Sequence, residues 1–339
     1  MFIKLIKKTF FFVIIFLLLF LGLSFVYNKF VINKVYQEKF FNLPDYNTFI
    51  FGDSHSLCAF NDSIISNSLN LSKNSENYFQ TYYKIKKIIK KNPQIKKIIL
   101  NYSHGNISTT YEKTICYSEI YMKLFDEDGL NVIKEGYKYR YNLKILDKKF
   151  KFIFPEIECS IKSFHKIVYY YFYVKQNYGL PISITNDLKL FMSILINNCT
   201  IYDYPFFEPK HISDDSKVND ATVRAAIWRH FYMYGEEASI SNIMIDYLEK
   251  IILLARDNDI NLYLINTPIN GWYRSYIPEN FIKYHKLIID GLILKYPFVQ
   301  YYDYSDMKFE DKMWGDGDHL NVYGMNLFSK EINKLINNE

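Results

Sequence analysis

The chain has 339 residues, of which 49% are hydrophobic, enough apolar material for one large folded core or two small ones. Its formal net charge is only +5, part of it in the N-terminal tail, and no stripe of Arg and Lys is interleaved with aromatics; nucleic acid is excluded as an expected partner. The 32 Tyr and 28 Phe, beside many Lys, Ile and Asn, point to an AT-rich coding bias and to core filling.

Residues 1–28 have an anchor pattern. Lys4, Lys7 and Lys8 precede a charge-free run from Phe10 to Tyr27, and about 18 such residues are enough to span hydrocarbon as a helix. Lysines on that side favour a cytoplasmic N-terminus. No Ala-x-Ala-like site follows, so the reading is an uncleaved signal anchor rather than a cleaved signal peptide. The chain is then expected in the cell membrane as a single-pass protein, with a polar spacer at 29–47 and an extracytoplasmic domain at 48–339. Outside the cytoplasm, Cys58, Cys116, Cys159 and Cys199 are enough for two disulfides; buried free thiols are the other reading. Their wide spacing argues against a cysteine zinc site.

Phe49-Ile50-Phe51 reads as a strand, and Gly52 permits a tight turn behind it. Ser54 then sits where strand gives way to helix. Residues 58–68 read as helix or turn and 68–72 as a second short strand. Residues 78–91 form an amphipathic helix through Tyr82, Ile85, Ile88 and Ile89, its lysines on a solvated face, and Pro93 ends it. Residues 97–101 are a strand leading into the loop Tyr102-Ser103-His104-Gly105-Asn106.

Residues 109–236 are the least informative, with helices expected around 115–124, 161–176 and 188–196. A helical insertion at about 110–236 would lie over the strand ends, shaping acceptor specificity or serving only as packing. Asp203, Asp214 and Asp215 read as solvated loop acids.

From 239 regularity returns: a helix at 239–258, a strand at 260–266, the turn Thr267-Pro268, a helix at 279–295, a strand at 298–302, a loop at 303–317 and a last helix at 323–337. This alternation predicts an α/β fold with a mainly parallel sheet. Sites in such sheets lie at the carboxyl ends of strands, where Ser54, the 103–106 loop, the Thr267 loop and the 316–319 loop would meet.

That meeting has a chemistry. Ser54 is a candidate nucleophile, His319 the base that takes its proton, and Asp316 the carboxylate that orients His319 from three residues away. Asp318, adjacent to His319, has poor geometry for bonding the ring. Asp53 is expected to bond backbone beneath the turn, and His55 to point away along the following helix. No cofactor or metal is implied.

Gly52-Asp53-Ser54 near the start of the domain, with Asp316-x-x-His319 near its end, resembles the SGNH (GDSL) hydrolase superfamily. The Asp53-Ser54-His55 variant and the N-terminal anchor resemble its membrane-anchored branch, which includes teichoic-acid D-alanyl transfer and alginate O-acetylation proteins. The resemblance implies a three-layer α/β/α sandwich with a flavodoxin-like sheet. It also implies a serine esterase or O-acyltransferase acting on acyl esters of cell-envelope glycans, beside a multispanning acyl-exporting membrane protein. Oxyanion donors would be the N–H groups of Ser54 and of Ser72, which stands where the family has glycine, and the amide of Asn106. The family's Gly-x-Asn-Asp motif is absent, and Asn101 or the Ser103 hydroxyl are substitutes. These departures keep open a catalytically degenerate glycan-binding or scaffold protein.

Overall fold

The computed structural model of the chain describes residues 2–27, 43, 45–112, 216 and 218–337. The chain divides into two units, Met1–Asn42 with Glu119–Pro205, and Leu43–Ser118 with Phe206–Glu339. In the first unit the described residues form one helix, α1 (Phe2–Tyr27), which contains the charge-free run. Its side chains at 2, 3, 5, 17, 20, 21 and 23–27 lie outside the description, and over the described residues no helix is long and apolar enough to cross a membrane. The membrane reading of α1 therefore rests on the sequence alone.

The second unit runs β1 (Thr48–Phe51), α2 (Ser54–Ala59), β2 (Ser68–Asn70), α3 (Tyr78–Lys91), β3 (Lys97–Asn101), α4 (Asp220–Phe231), β4 (Tyr232–Met233), β5 (Glu236–Glu237), α5 (Asn242–Arg256), β6 (Asn261–Asn266), α6 (Gly271–Ser275), α7 (Glu279–Lys295), β7 (Gln300–Asp303) and α8 (Val322–Asn337). Five strands form one sheet in the order β2-β1-β3-β6-β7, and every pairing in it is parallel. β4 and β5 make a small antiparallel pair. The order reverses between β1 and β3, the switch point beside whose strand ends sheets of this kind place their sites.

β1 and the last five residues of β6 are buried throughout, as expected of parallel strands covered on both faces. Ile50, Ile99, Tyr263 and Ile265 form one face and pack with Trp314 and with Phe328, Ile332 and Ile336 of α8. Alternate residues point the other way: there Phe51 meets Lys84 of α3. α3 packs on α5, with the Phe79 and Tyr247 rings edge to face at 4.9 Å. Helices thus cover both sides of the sheet, consistent with three layers.

Capping sets the element boundaries. α3 starts where expected because Asn77 and Gln80 form a reciprocal capping box. α5 begins at Asn242, not 239, because the Ser241 side chain accepts from Met244 N. α2 begins at Ser54 itself, ahead of the expected 58, because the Asp53 carboxylate caps it. The helices expected around 115–124, 161–176 and 188–196, and Cys116, Cys159 and Cys199, lie outside the described residues. α4 falls within the helical insertion expected at about 110–236, although no individual helix was expected at its position.

One further correction concerns packing. The lysines of α3 do not all lie on a solvated face: the Lys84 side chain is fully buried, donating to Leu71 O at 2.6 Å and to Glu76. Gly52 is required both by its turn conformation and by the lack of room for a side chain. Its φ is +145°, and a Cβ there would come within 2.4 Å of Ser56 Oγ and 2.9 Å of Asn101 Cβ. Any side chain at 52 would push β1 away from β3, where the site begins.

Candidate active site

Ser54 is the first residue of α2, presented at the end of β1 by the Gly52 turn. Its Oγ lies 2.8 Å from His319 Nε2. On the other side of the ring, His319 Nδ1 meets Asp316 Oδ2 at 2.9 Å and Oδ1 at 3.0 Å. Asp316 Oδ1 also accepts the backbone N–H groups of Asp318 at 3.0 Å and His319 at 2.9 Å. This hydrogen-bonded turn fixes the carboxylate before the ring reaches it. Glycine at 317 is needed because a Cβ would lie 2.6 Å from the Val223 backbone of α4. The residues predicted as Ser54, His319 and Asp316 are therefore joined in one chain of hydrogen bonds, with Asp316 rather than Asp318 as the ring's partner.

Asp318 is nevertheless close. Its Oδ1 is 3.5 Å from His319 Nδ1. Burial alone would lower the His319 pKa, but the Asp318 and Asp316 charges and the Asp316 hydrogen bond outweigh it and raise it to about 9. Burial likewise opposes the Asp316 charge, and the His319 contacts overcome it, holding that carboxyl well below its ordinary range.

Asp53 does more than bond backbone. Its buried carboxylate accepts from His55 N at 3.0 Å, Asn101 Nδ2 at 3.0 Å, Asn106 Nδ2 at 2.8 Å and the Tyr111 hydroxyl. Burial pushes its pKa up, but His55, the Tyr111 hydroxyl and His230 pull it well below the usual range. Burial, then the Asp53 charge, holds Tyr111 protonated as a donor.

This anchoring changes the roles expected of the oxyanion candidates. Ser72 N is already donated to Asn70 Oδ1 at 3.0 Å, so that backbone group is engaged within the fold. Asn106 gives one amide N–H to Asp53, and its Oδ1 accepts from Ser103 N at 2.9 Å, Ser103 Oγ at 3.0 Å and Asn101 Nδ2 at 3.1 Å. Asn101 donates to both Asp53 and Asn106. These asparagines hold Asp53 and so position the Ser54 turn. Ser54 N–H, at the first position of α2, has no hydrogen-bond partner among the described residues.

His55 is corrected as well. It does not point away: it is buried, with its ring centroid 5.2 Å from that of His319 and 5.3 Å from that of His230. His104 is only half-buried, stacked on His285 at 4.1 Å; desolvation and that neighbour lower its pKa to about 3. The loop after β6 contributes Asn270 to a cleft of about 290 Å³ that also involves Trp272, Arg274, Asp306 and Trp314. Ser54, Asp316 and His319 do not line that cleft, which adjoins their loop only through Trp314.

α4, in the stretch without a sequence signal, brings two residues to this cluster. Arg229 Nη2 donates to both oxygens of Asp318 at 3.2 Å. His230 Nδ1 lies 2.6 Å from the Tyr273 hydroxyl of α6, and burial lowers the His230 pKa to about 3. The usable signal was scarcity: the chain has 7 His, and His55, His230 and His319 converge here.

No family model matches the chain, and no curated protein matches it either. The fold and the site define a class: an α/β protein whose parallel sheet carries a hydrogen-bonded Ser–His–Asp group at the carboxyl end of its first strand.

Proposed function

We propose that this chain is an SGNH-type serine esterase or O-acyltransferase acting on acyl esters of cell-envelope glycans. The observation that carries this reading is the Ser54–His319–Asp316 chain of hydrogen bonds. The strand order, whose reversal falls beside β1, agrees with a flavodoxin-like sheet and supports the same reading. His319 takes the Ser54 proton as the oxygen attacks the ester carbonyl. Asp316 keeps the ring oriented and stabilises the imidazolium, and the Ser54 N–H meets the developing oxyanion. The acyl-enzyme then passes its acyl group to water or to a glycan hydroxyl.

Anchoring through α1 would hold the domain at the outer membrane face, beside a multispanning acyl-exporting partner. This part of the proposal rests on the lysines before a charge-free run.

A fluorophosphonate probe tests the reading. Full chain in detergent should be labelled at Ser54, and Ser54→Ala should not. A folded wild type that stays unlabelled would favour the second reading, a degenerate glycan-binding or scaffold protein. The engagement of Ser72 N and of the asparagine amides inside the fold favours that reading.

The pH dependence has a definite sign. Only neutral His319 accepts the Ser54 proton, and its raised pKa keeps the ring charged up to about 9. kcat/KM should therefore climb with pH to an inflection near 9, well above the roughly 6.5 of a free histidine. A rate already level at neutral pH would show that the carboxylates do not hold the proton on the ring.

A further inference from the structure

We infer that His55, His230 and Asp318 form a binding site for a first-row divalent cation of zinc type, built behind the Ser54–His319 pair. His55 Nε2 lies 3.5 Å from Asp318 Oδ2 and His230 Nε2 lies 3.8 Å from the same oxygen. One donor atom from each residue lies within 4.8 Å of the other two, and all three residues are buried. Zinc bonds of about 2.0–2.2 Å in a tetrahedron place neighbouring ligand atoms about 3.3–3.6 Å apart, close to the separations the fold already holds.

A second observation is independent of that spacing. Both ring nitrogens of His55 are buried and lack a hydrogen-bond partner, although the residue is only 4% exposed. A buried polar atom left unpaired loses its hydration without recovering a hydrogen bond, so a ring with two of them is costly to keep in a core. A cation on Nε2 removes one of these deficits and aligns the other nitrogen. Nδ1 faces Asp53 Oδ1 at 3.5 Å.

The outer surroundings fit the same role. Metal-binding histidines are usually oriented through their other ring nitrogen by a carboxylate or a polar group. Here Asp53 stands behind His55, and the Tyr273 hydroxyl stands behind His230. Two imidazoles and one carboxylate suit zinc or its neighbours in the first row, whereas calcium and magnesium select all-oxygen sets. Arg229 shares the Asp318 carboxylate at 3.2 Å, and the cation must leave it one oxygen. The second possible group, Asp316, Asp318 and His319, is a weaker candidate because Asp316 and His319 already satisfy each other.

The location gives the cation a job. His55 follows Ser54, Asp318 precedes His319, and His230 lies on α4, which the sheet alone does not fix to either loop. A cation there would tie the nucleophile turn and the base loop to α4.

The test needs no substrate, so its outcome is separate from that of acyl transfer. Untagged full chain in detergent is stripped with a chelator, loaded with zinc chloride, desalted and assayed for metal, and loaded in parallel with cobalt(II) for its visible absorption. We expect about one zinc retained per chain, a tetrahedral cobalt spectrum and a higher melting temperature when loaded. His55→Gln and His230→Gln should lose the metal, Tyr273→Phe should bind about 10–100-fold more weakly, and His104→Ala should bind as wild type does. A folded wild type that retains no zinc, or a His55→Gln chain that retains it, would overturn the site.

Discussion

Ser54→Ala and His319→Ala should each lower kcat on p-nitrophenyl acetate by about 10⁴–10⁶-fold, and combining them should cost little more, because members of a triad act as a unit. The expectation follows from direct contact: the two side chains meet at 2.8 Å, and no other hydrogen-bond partner is recorded for Ser54 Oγ among the described residues. Asp316→Ala should cost less, about 10²–10⁴-fold, by analogy with other triads in which loss of the carboxylate is the mildest change. Asp318 remains 3.5 Å from His319 Nδ1 in that variant and partly replaces the lost charge. Rates on full chain in detergent, with circular dichroism to show folding, decide the matter. Undiminished turnover by Ser54→Ala would remove the nucleophile from the proposal altogether.

Lys84→Met should lower unfolding free energy by about 3–5 kcal/mol, because it strands a buried carboxylate. The Lys84 and Glu76 side chains are both fully buried, and Glu76 also accepts from Thr81 Oγ1 at 2.7 Å. With the ammonium gone, Glu76 must stay charged without its partner or take up a proton. The pair sits behind the site. Lys84 holds Leu71 O, while Leu71 N and Lys73 N donate to Ile50 O and Gly52 O at 2.9 and 3.0 Å. Lys84→Met combined with Glu76→Gln should recover most of the loss, since replacing both members of a buried pair is far cheaper than removing one. Urea unfolding of the wild type and the two variants measures this. A single-variant loss below about 1 kcal/mol would mean that water reaches Glu76.

Local sequence determined the elements whose signals are local. The apolar runs of β1, β3 and β6 predicted buried parallel strands because a strand covered on both faces has no polar side to show. The periodicity of α3, α7 and α8 fixed them nearly to the residue, and Asn77 with Gln80 shows why α3 starts where it does. Ser54, Asp316 and His319 were legible because the glycine turn after a strand and the three-residue spacing are short-range features.

Tertiary structure decided everything that depends on which distant groups share a cavity. Asn106 and Asn101 looked like oxyanion donors from their place after β3, yet the buried Asp53 carboxylate claims them, since a charge in the core must collect its hydrogen bonds first. Lys84 looked solvated because helical periodicity cannot see that Glu76, eight residues earlier, turns under the same strand end. His55 and His230 are separated by 175 positions, and no local pattern connects them. They meet at Asp318 because α4 packs against the glycine at 317, where any side chain would have kept them apart.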